Sequence, residues 1–163
     1  MIVMGIDPGL SLTGWALIEV LSRDKIMPVD YGCIKTTSSA TLVQRLQSIN
    51  LKLQTVLSKY KPGAVVIEEL FFLKTSKSIA NLLQARGAII LTVSFSKVPL
   101  FEYNPRFIKM ALTGYGSASK YQIQQMVKIF LRLKEVPKPD DIADALAMAI
   151  CHVNTRNIKS YNI

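Results

Sequence analysis

The chain has 163 residues, half of them apolar, and 20 Lys and Arg stand against 11 Asp and Glu, which gives a net charge of +9. This length and composition fit one domain with a sizeable core and exclude a disordered or low-complexity protein. The first residues lack the pattern of a signal peptide, and no uninterrupted apolar stretch reaches the length of a membrane span. With only Cys33 and Cys151, we expect a single cytoplasmic domain over residues 1–163, without a membrane partner.

Patterns along the chain predict strands and helices in a mixed order. Residues 2–7, 13–20 and 29–34 are typical of strands, and Asp7-Pro8-Gly9 is a turn signal after the first. Apolar residues at helical spacing predict a helix over 41–60. A buried strand over 64–69, a helix over 78–94, a short strand over 99–103 and helices over 104–111, 119–133 and from residue 141 onward follow. This order predicts an α/β fold.

Acidic residues follow two buried runs of the chain. Asp7 ends the first predicted strand. Glu68 ends the apolar run of residues 64–67, and a second acid, Glu69, follows it directly. Asp7 has an alternative explanation, because Asp and Pro-Gly are common turn formers. Both faces of the 64–69 strand are apolar, so alternation alone cannot decide whether Glu68 or Glu69 faces the interior.

Asp141 and Asp144 begin the last helix and lie three residues apart, hence on one helix face. Acids in a first turn also complement the helix dipole, which is the alternative explanation. The alternating alanines from 143 to 149 allow this helix to lie close against a sheet. A carboxylate that loses hydration is costly to ionise, and this chain has such carboxylates at positions far apart in sequence. Together they suggest one site for divalent metal ions, which bind oxygen ligands.

The six acids of these motifs leave only five others (11 minus 6) against 20 basic residues. A basic body around an acidic centre is typical of a protein that holds a polyanion, although a generally basic protein remains the alternative. Phe71 and Phe72 lie in a basic loop, where an aromatic ring can stack on an unpaired base or anchor the loop in the core. The candidates for phosphate contacts are Lys74, Lys77, Arg86, Lys109 and Lys120.

Several motifs together resemble the RuvC family of Holliday-junction resolvases, in the same order and over nearly the whole chain. They are Gly5-Ile6-Asp7-Pro8-Gly9 with Thr13-Gly14, Ile67-Glu68, Gln84-Ala85-Arg86-Gly87, Phe101-Glu102-Tyr103, Gly116-Ser117-Ala118 and the run from Asp141 through Asp144 to Ala147. The resemblance implies a ribonuclease H-like fold, with a mixed five-stranded sheet flanked by helices on both faces. It also implies a homodimer that nicks four-way DNA junctions symmetrically with Mg²⁺.

By this resemblance Asp7, Glu68, Asp141 and Asp144 match the four catalytic acids and metal ligands of the family. Two Mg²⁺ ions about 4 Å apart are expected at each site, replaceable by Mn²⁺, with Asp7 between them. Phe71 matches an aromatic residue near the junction's crossover, and Lys109 and Lys120 match basic residues of the DNA cleft. A RuvA–RuvB type branch-migration complex is the expected partner.

Two departures and two alternatives accompany the resemblance. Glu69 and Asp140 are extra acids beside the matched ones, and the tail after His152 is short. The first motif also resembles the phosphate hairpin of sugar-kinase, actin and Hsp70-type ATPases, but those proteins need a second lobe for which this chain is too short. A DNA-binding protein that has lost turnover is the other alternative, and the presence of all four acids argues against it.

Overall fold

A computed structural model describes residues 1–22, 25–70 and 77–155, except for the side chain of Lys77. In these ranges the chain forms five strands and five helices. The strands are β1 (Ile2–Asp7), β2 (Leu12–Ser22), β3 (Lys25–Lys35), β4 (Ala64–Glu68) and β5 (Leu100–Tyr103). The helices are α1 (Leu42–Tyr60), α2 (Lys77–Phe95), α3 (Pro105–Thr113), α4 (Lys120–Phe130) and α5 (Asp140–Thr155).

The strands form one mixed sheet in the order β3-β2-β1-β4-β5. β1 pairs antiparallel with β2, and β2 with β3, whereas β1 and β4, and β4 and β5, are parallel. The predicted mixed five-stranded sheet is therefore confirmed. Because β1 and β4 are parallel neighbours, their carboxyl ends lie at the same edge of the sheet.

Helices cover both faces of the sheet, as the family resemblance implied. On one face, α1 and α2 pack over Met4, Leu17 and Val65. On the other face, α3, α4 and α5 pack over side chains that include Val3 and Val66. α5 is the central helix of that layer, and twelve of its sixteen residues are buried. Alternation along each strand thus divides the core into two clusters.

Glycines let α5 lie directly on the sheet. A Cβ atom on Gly5 would stand 1.9 Å from the carbonyl oxygen of Ala145, and one on Gly14 would stand 2.3 Å from that of Asp141. Neither distance is possible for a larger residue without moving the helix. The predicted close approach of the alanine-rich helix is therefore confirmed, and it sets the first turn of α5 beside the ends of β1 and β2.

Most boundaries differ from the sequence prediction by one or two residues, and the start of β3 and the ends of β4 and α4 have a physical explanation or bear on the site. β3 begins at Lys25, so Pro28 lies inside it rather than before it. β3 is an edge strand, where the missing N–H of proline is tolerated. β4 ends at Glu68, one residue before the predicted end, and α4 ends at Phe130, three residues early. Arg132, just after this end of α4, has a left-handed backbone conformation with φ 52°, which does not fit an α-helix.

The face of α2 that points away from the sheet is apolar and exposed. Leu83, Leu91 and Phe95 are 46%, 53% and 69% exposed. Ser78–Phe95 is the one stretch of the described chain that is long and apolar enough to cross a membrane by length and composition, with 22% of it buried. A Cβ on Gly87 would meet nothing within 4 Å. Close packing, which would offset the cost of a glycine inside a helix, is therefore absent around Gly87 within the described part of the chain.

Candidate active site

Strand alternation and register place Asp7 and Glu68 on the same face. Gly5 pairs with Val66, and each lies two residues before one of the acids on its own strand. Val66 belongs to the cluster under α5, and Gly5 contacts α5 directly. Asp7 and Glu68 therefore both point toward α5 at the carboxyl ends of adjacent strands. Glu69 has the parity of Ile67, which packs on the opposite face.

The first turns of α5 bring the other two acids to this edge. Asp141 lies against Gly14, which pairs with Asp7 across β1 and β2. Asp144, one turn later, lines a cleft of 270 Å³ together with Asp7 and Glu68. Asp141 is not among the described residues that line this cleft. Three of the four predicted acids thus share one cleft, and Asp141 stands beside it.

The position of Asp7 makes its ionised form costly. The pKa of Asp7 is raised from an ordinary value of 3.8 to about 8, mainly by burial and then by the charges of Asp144, Asp141 and Glu68, in that order, while Lys120 lowers it. A carboxyl group surrounded by other carboxylates and little water keeps its proton near neutral pH. Asp7 is therefore the electrostatic centre of the cluster.

The pKa values of the two neighbouring cleft acids are raised for the same reason. Burial is the main cause for Glu68, followed by the charge of Asp144, and Lys109 opposes both. Burial is also the main cause for Asp144, where a hydrogen bond and the charge of Lys120 act in the opposite direction. Perturbed acids gathered in a cleft mark a functional site.

The chemistry of these donors fits a hard divalent cation, since all four side chains offer only carboxylate oxygens. A cation would also remove the mutual repulsion that raises the pKa of Asp7. As the side chains are placed, however, no three Asp, Glu, His or Cys residues of the described ranges stand close enough together to hold a metal ion. The acids lie around one cleft, but their side chains do not yet enclose an ion, and they must turn inward to do so.

Two of the predicted basic residues line the cleft, namely Lys109 on α3 and Lys120 at the start of α4. Lys120 begins α4 directly after the N-cap Ser119, whose side chain accepts a hydrogen bond from the backbone of Gln122. This cap fixes the start of the helix and thereby the position of Lys120. The Nζ atom of Lys120 lies 3.0 Å from Oδ2 of Asp144.

The structure places Arg86 in a structural contact rather than in a free phosphate site. Its guanidinium forms an ion pair with Glu102 of β5, and its side chain is only 15% exposed. This pair ties α2 to the sheet. Phe71, Phe72 and Lys74 lie outside the described residues, and Lys77 begins α2 with its side chain also outside them. His152, the single histidine of the chain, is buried with its Nδ1 atom 3.0 Å from the Tyr103 hydroxyl, so it occupies a core position.

Sequence reasoning missed two residues next to the cleft. Asp140, noted only as an extra acid, lies 3.5 Å from Lys120, and Lys138 lies 2.8 Å from Asp140. The sequence signal for these residues was the alternation of charge around the start of α5. This charged stretch is too short to distinguish an ion-pair network from an ordinary solvated helix end.

Comparisons with known proteins agree with this arrangement. Residues 3–152 match the family model described as crossover junction endodeoxyribonuclease RuvC. A protein of that name from Endomicrobium trichonymphae is 67% identical, covering 99% of this chain and 85% of the relative. A second, from Caldicellulosiruptor saccharolyticus, is 48% identical, covering 93% of this chain and 91% of the relative.

Solved structures give the same result for the fold. Thermus thermophilus RuvC in complex with a Holliday junction substrate superposes with a TM-score of 0.93 at 32% identity, covering 100% of this chain and 99% of that one. The yeast mitochondrial resolvase Ydc2 shares the fold at 12% identity and a TM-score of 0.68, covering 95% of this chain and 78% of that one. The fold is therefore ribonuclease H-like, as predicted, and the chain belongs to the RuvC family of crossover junction endodeoxyribonucleases.

Proposed function

We propose that this protein is a structure-specific endodeoxyribonuclease that resolves four-way DNA junctions by paired symmetrical nicks, in homologous recombination and DNA repair. One observation carries the proposal: Asp7 and Glu68, from adjacent parallel strands, face Asp144 of α5 across one cleft that also holds Lys109 and Lys120. A cluster of desolvated carboxylates suits a cation, and lysines at the same cleft suit a phosphate backbone.

The family and the charge of the chain support DNA as the substrate. The curated relatives are named as crossover junction endodeoxyribonucleases, and the T. thermophilus relative is described in complex with a Holliday junction substrate. The chain has a net charge of +9, and outside the acidic motifs 20 basic residues face only five acids (11 minus 6). A basic surface that neutralises phosphates binds DNA in a salt-dependent manner. The cleft then acts on the bound DNA.

Asp7, Glu68 and Asp144, with Asp141 beside them, are the residues that would hold Mg²⁺, or Mn²⁺ in its place. When bound, such cations, two in each site, activate water and offset the charge that develops on the leaving oxygen. Asp7 is central to holding them because its proton is the one that loading must displace. Lys109 and Lys120 add positive charge at the same cleft, where a phosphodiester must approach the carboxylates of Asp7, Glu68 and Asp144.

The reaction proposed is hydrolysis. A water oxygen bonds to phosphorus, the bond from phosphorus to the 3′-oxygen breaks, and that oxygen takes a proton. The products are a 5′-phosphate and a 3′-hydroxyl, which a ligase can rejoin. The Asp141–Asp144 turn of α5 is held on the sheet at Gly5 and Gly14, so the acids do not depend on a loop for their position.

A homodimer is part of the proposal, because a junction with matching strands requires two sites. The exposed apolar face of α2 (Leu83, Leu91, Phe95) with the uncovered Gly87 supports it. A glycine on an apolar helix face lets a second helix approach closely, which accounts for its place in the middle of α2. A cytoplasmic location and a RuvA–RuvB type motor as partner complete the proposal on family grounds alone.

Digestion of a synthetic mobile four-way junction with Mg²⁺, mapped on all four strands, tests the activity. Paired nicks at symmetrical positions with ligatable ends are expected. Glu68→Gln should abolish cleavage and preserve junction binding in a gel-shift assay. Glu69→Gln, the neighbouring acid with the opposite parity, is the matched control and should cleave normally. Random single nicks, or cleavage by Glu68→Gln at the wild-type rate, would contradict the proposal.

Sedimentation of the free protein tests the dimer. Leu91→Glu on the exposed face of α2 should shift the protein toward monomer, because a buried unpaired charge is costly at an interface. Leu51→Glu is the matched control on α1, since Leu51 is 64% exposed, and it should leave the assembly unchanged. A wild-type monomer at micromolar concentration, or equal effects of the two variants, would argue against α2 as the interface.

A further inference from the structure

The ion pairs at the start of α5 extend beyond the cleft. The Nζ atom of Lys120 lies 3.0 Å from Oδ2 of Asp144 and 3.5 Å from Oδ2 of Asp140. Asp144 lines the cleft, whereas Asp140 is not among the described residues that line it and its side chain is 41% exposed. One ammonium group therefore stands between a carboxylate inside the cleft and a carboxylate at its rim.

Lys138 orients the rim carboxylate. Its Nζ atom lies 2.8 Å from Oδ1 of Asp140, so the two oxygens of Asp140 face two different lysines. With Oδ1 held by Lys138, Oδ2 remains directed at Lys120. Exposed ion pairs contribute little to folding stability. The network therefore matters for the position in which it holds the Lys120 ammonium group, and not for folding stability.

Lys120 and a divalent cation compete for the same group. The proposed function, on which this inference rests, assigns Asp144 to a cation, while the structure has Asp144 paired with Lys120. An ammonium group and a metal ion a few ångströms apart repel strongly where water is partly excluded. Cation loading is therefore easier if Lys120 has another partner within reach.

We propose that Asp140 is a positioning residue that receives Lys120 when a divalent cation occupies Asp144. A small rotation of the lysine side chain exchanges one carboxylate for the other. Lys120 then leaves the metal ligand but stays at the rim of the cleft, where its charge still faces the DNA backbone. Asp140 acts only through Lys120 and does not bind the cation itself.

A double-mutant cycle on cation binding tests this, with Mg²⁺ titrated calorimetrically into the full chain without DNA. Asp140→Asn should weaken Mg²⁺ binding by roughly threefold or more, the size of a coupling between directly contacting groups. In a Lys120→Met background, which should itself bind Mg²⁺ more tightly, the same substitution should have almost no effect. Asp140→Glu should restore most of the affinity, and Glu135→Gln, an exposed acid in the loop before α5, is the matched charge control.

The outcomes separate this inference from the proposed function. Equal weakening by Asp140→Asn in both backgrounds would mean that Asp140 acts as a general negative charge, which overturns the inference alone. Absence of Mg²⁺ binding by the wild-type protein overturns both. If Asp140→Asn does not fold, Lys138→Met releases the orientation of Asp140 instead. A Lys120-dependent loss of affinity in that variant supports the inference, and an unchanged affinity overturns it.

Discussion

Removing the charge of Asp7 should stabilise the cation-free protein at alkaline pH. Asp7 has a pKa of about 8 in the folded chain because of its burial and the charges of Asp144, Asp141 and Glu68, against an ordinary value of 3.8. The folded protein therefore binds more protons than the unfolded protein between about pH 4 and pH 8. Its stability falls as the pH rises through this window, and Asp7→Asn, which carries no charge, escapes the loss.

The magnitude follows from the size of the shift. From 3.8 to about 8 is roughly four pH units, and each unit corresponds to about 1.4 kcal/mol, so the ceiling is roughly 5–6 kcal/mol. Rotation of the carboxylate and water entering the open cleft relieve part of the cost of its charge. We therefore expect Asp7→Asn to raise the free energy of unfolding by about 2–4 kcal/mol at pH 8, and by less than about 1 kcal/mol near pH 4.

Denaturant unfolding in EDTA at several pH values measures this difference. Glu19→Gln makes the same change of charge far from the acidic cluster, where Glu19 pairs with Ile2, and it is the matched charge control. A stabilisation by Asp7→Asn that is equal at pH 4 and pH 8 would refute the electrostatic reasoning. So would the absence of any gain at pH 8.

Three further predictions concern the cation, the packing of α5 and the helix caps. Mg²⁺ affinity measured by calorimetry should rise with pH up to about pH 8, because loading displaces the proton of Asp7; a flat profile would contradict this. Gly14→Ala should lower the free energy of unfolding by about 1–3 kcal/mol or more, since its Cβ would stand 2.3 Å from the Asp141 carbonyl oxygen, whereas Gly87→Ala in open space should not destabilise the monomer. Ser119→Ala should cost about 1 kcal/mol through loss of the α4 cap, and an unchanged melting temperature would contradict the capping argument.

Local patterns were sufficient for most of the fold. Apolar periodicity predicted α1, and the helix predicted from residue 104 begins as α3 at Pro105, directly after the N-cap Asn104, whose side chain accepts a hydrogen bond from the Arg106 backbone. These signals are local because caps and helix faces involve residues three or four positions apart. The edge position of β3 was not visible locally, so the sequence could not predict that Pro28 lies inside a strand.

The site required information that lies between strands. Alternation along β4 left Glu68 and Glu69 undecided because both faces of the strand are apolar, and only the family resemblance favoured Glu68. The pairing of Gly5 with Val66 gives the physical reason, because it places Glu68 on the face that Asp7 also uses. The alanine pattern did predict the close approach of α5, which brings Asp144 to the same cleft.

The environment of the basic residues also depended on tertiary structure. Arg86 and Lys120 were both candidates for phosphate contacts, and only the family resemblance set Lys120 apart; in the structure Arg86 is tied to Glu102, and Lys120 stands in the cleft beside Asp144. The partner of Arg86 lies 16 residues away on β5, a distance at which charge patterns give no signal. The sequence also could not predict that the acids converge without closing around a cation, because closure depends on the rotation of their side chains.

A crystal of the protein soaked with Mn²⁺, examined by anomalous diffraction, tests the central claim most directly. An anomalous peak about 2.1 Å from carboxylate oxygens of Asp7 and of at least one of Glu68 and Asp144 is expected, with Lys120 displaced from Asp144. Strong anomalous peaks only elsewhere on the protein, or an empty cleft at saturating Mn²⁺, would contradict the claim that this cluster of acids is a cation site.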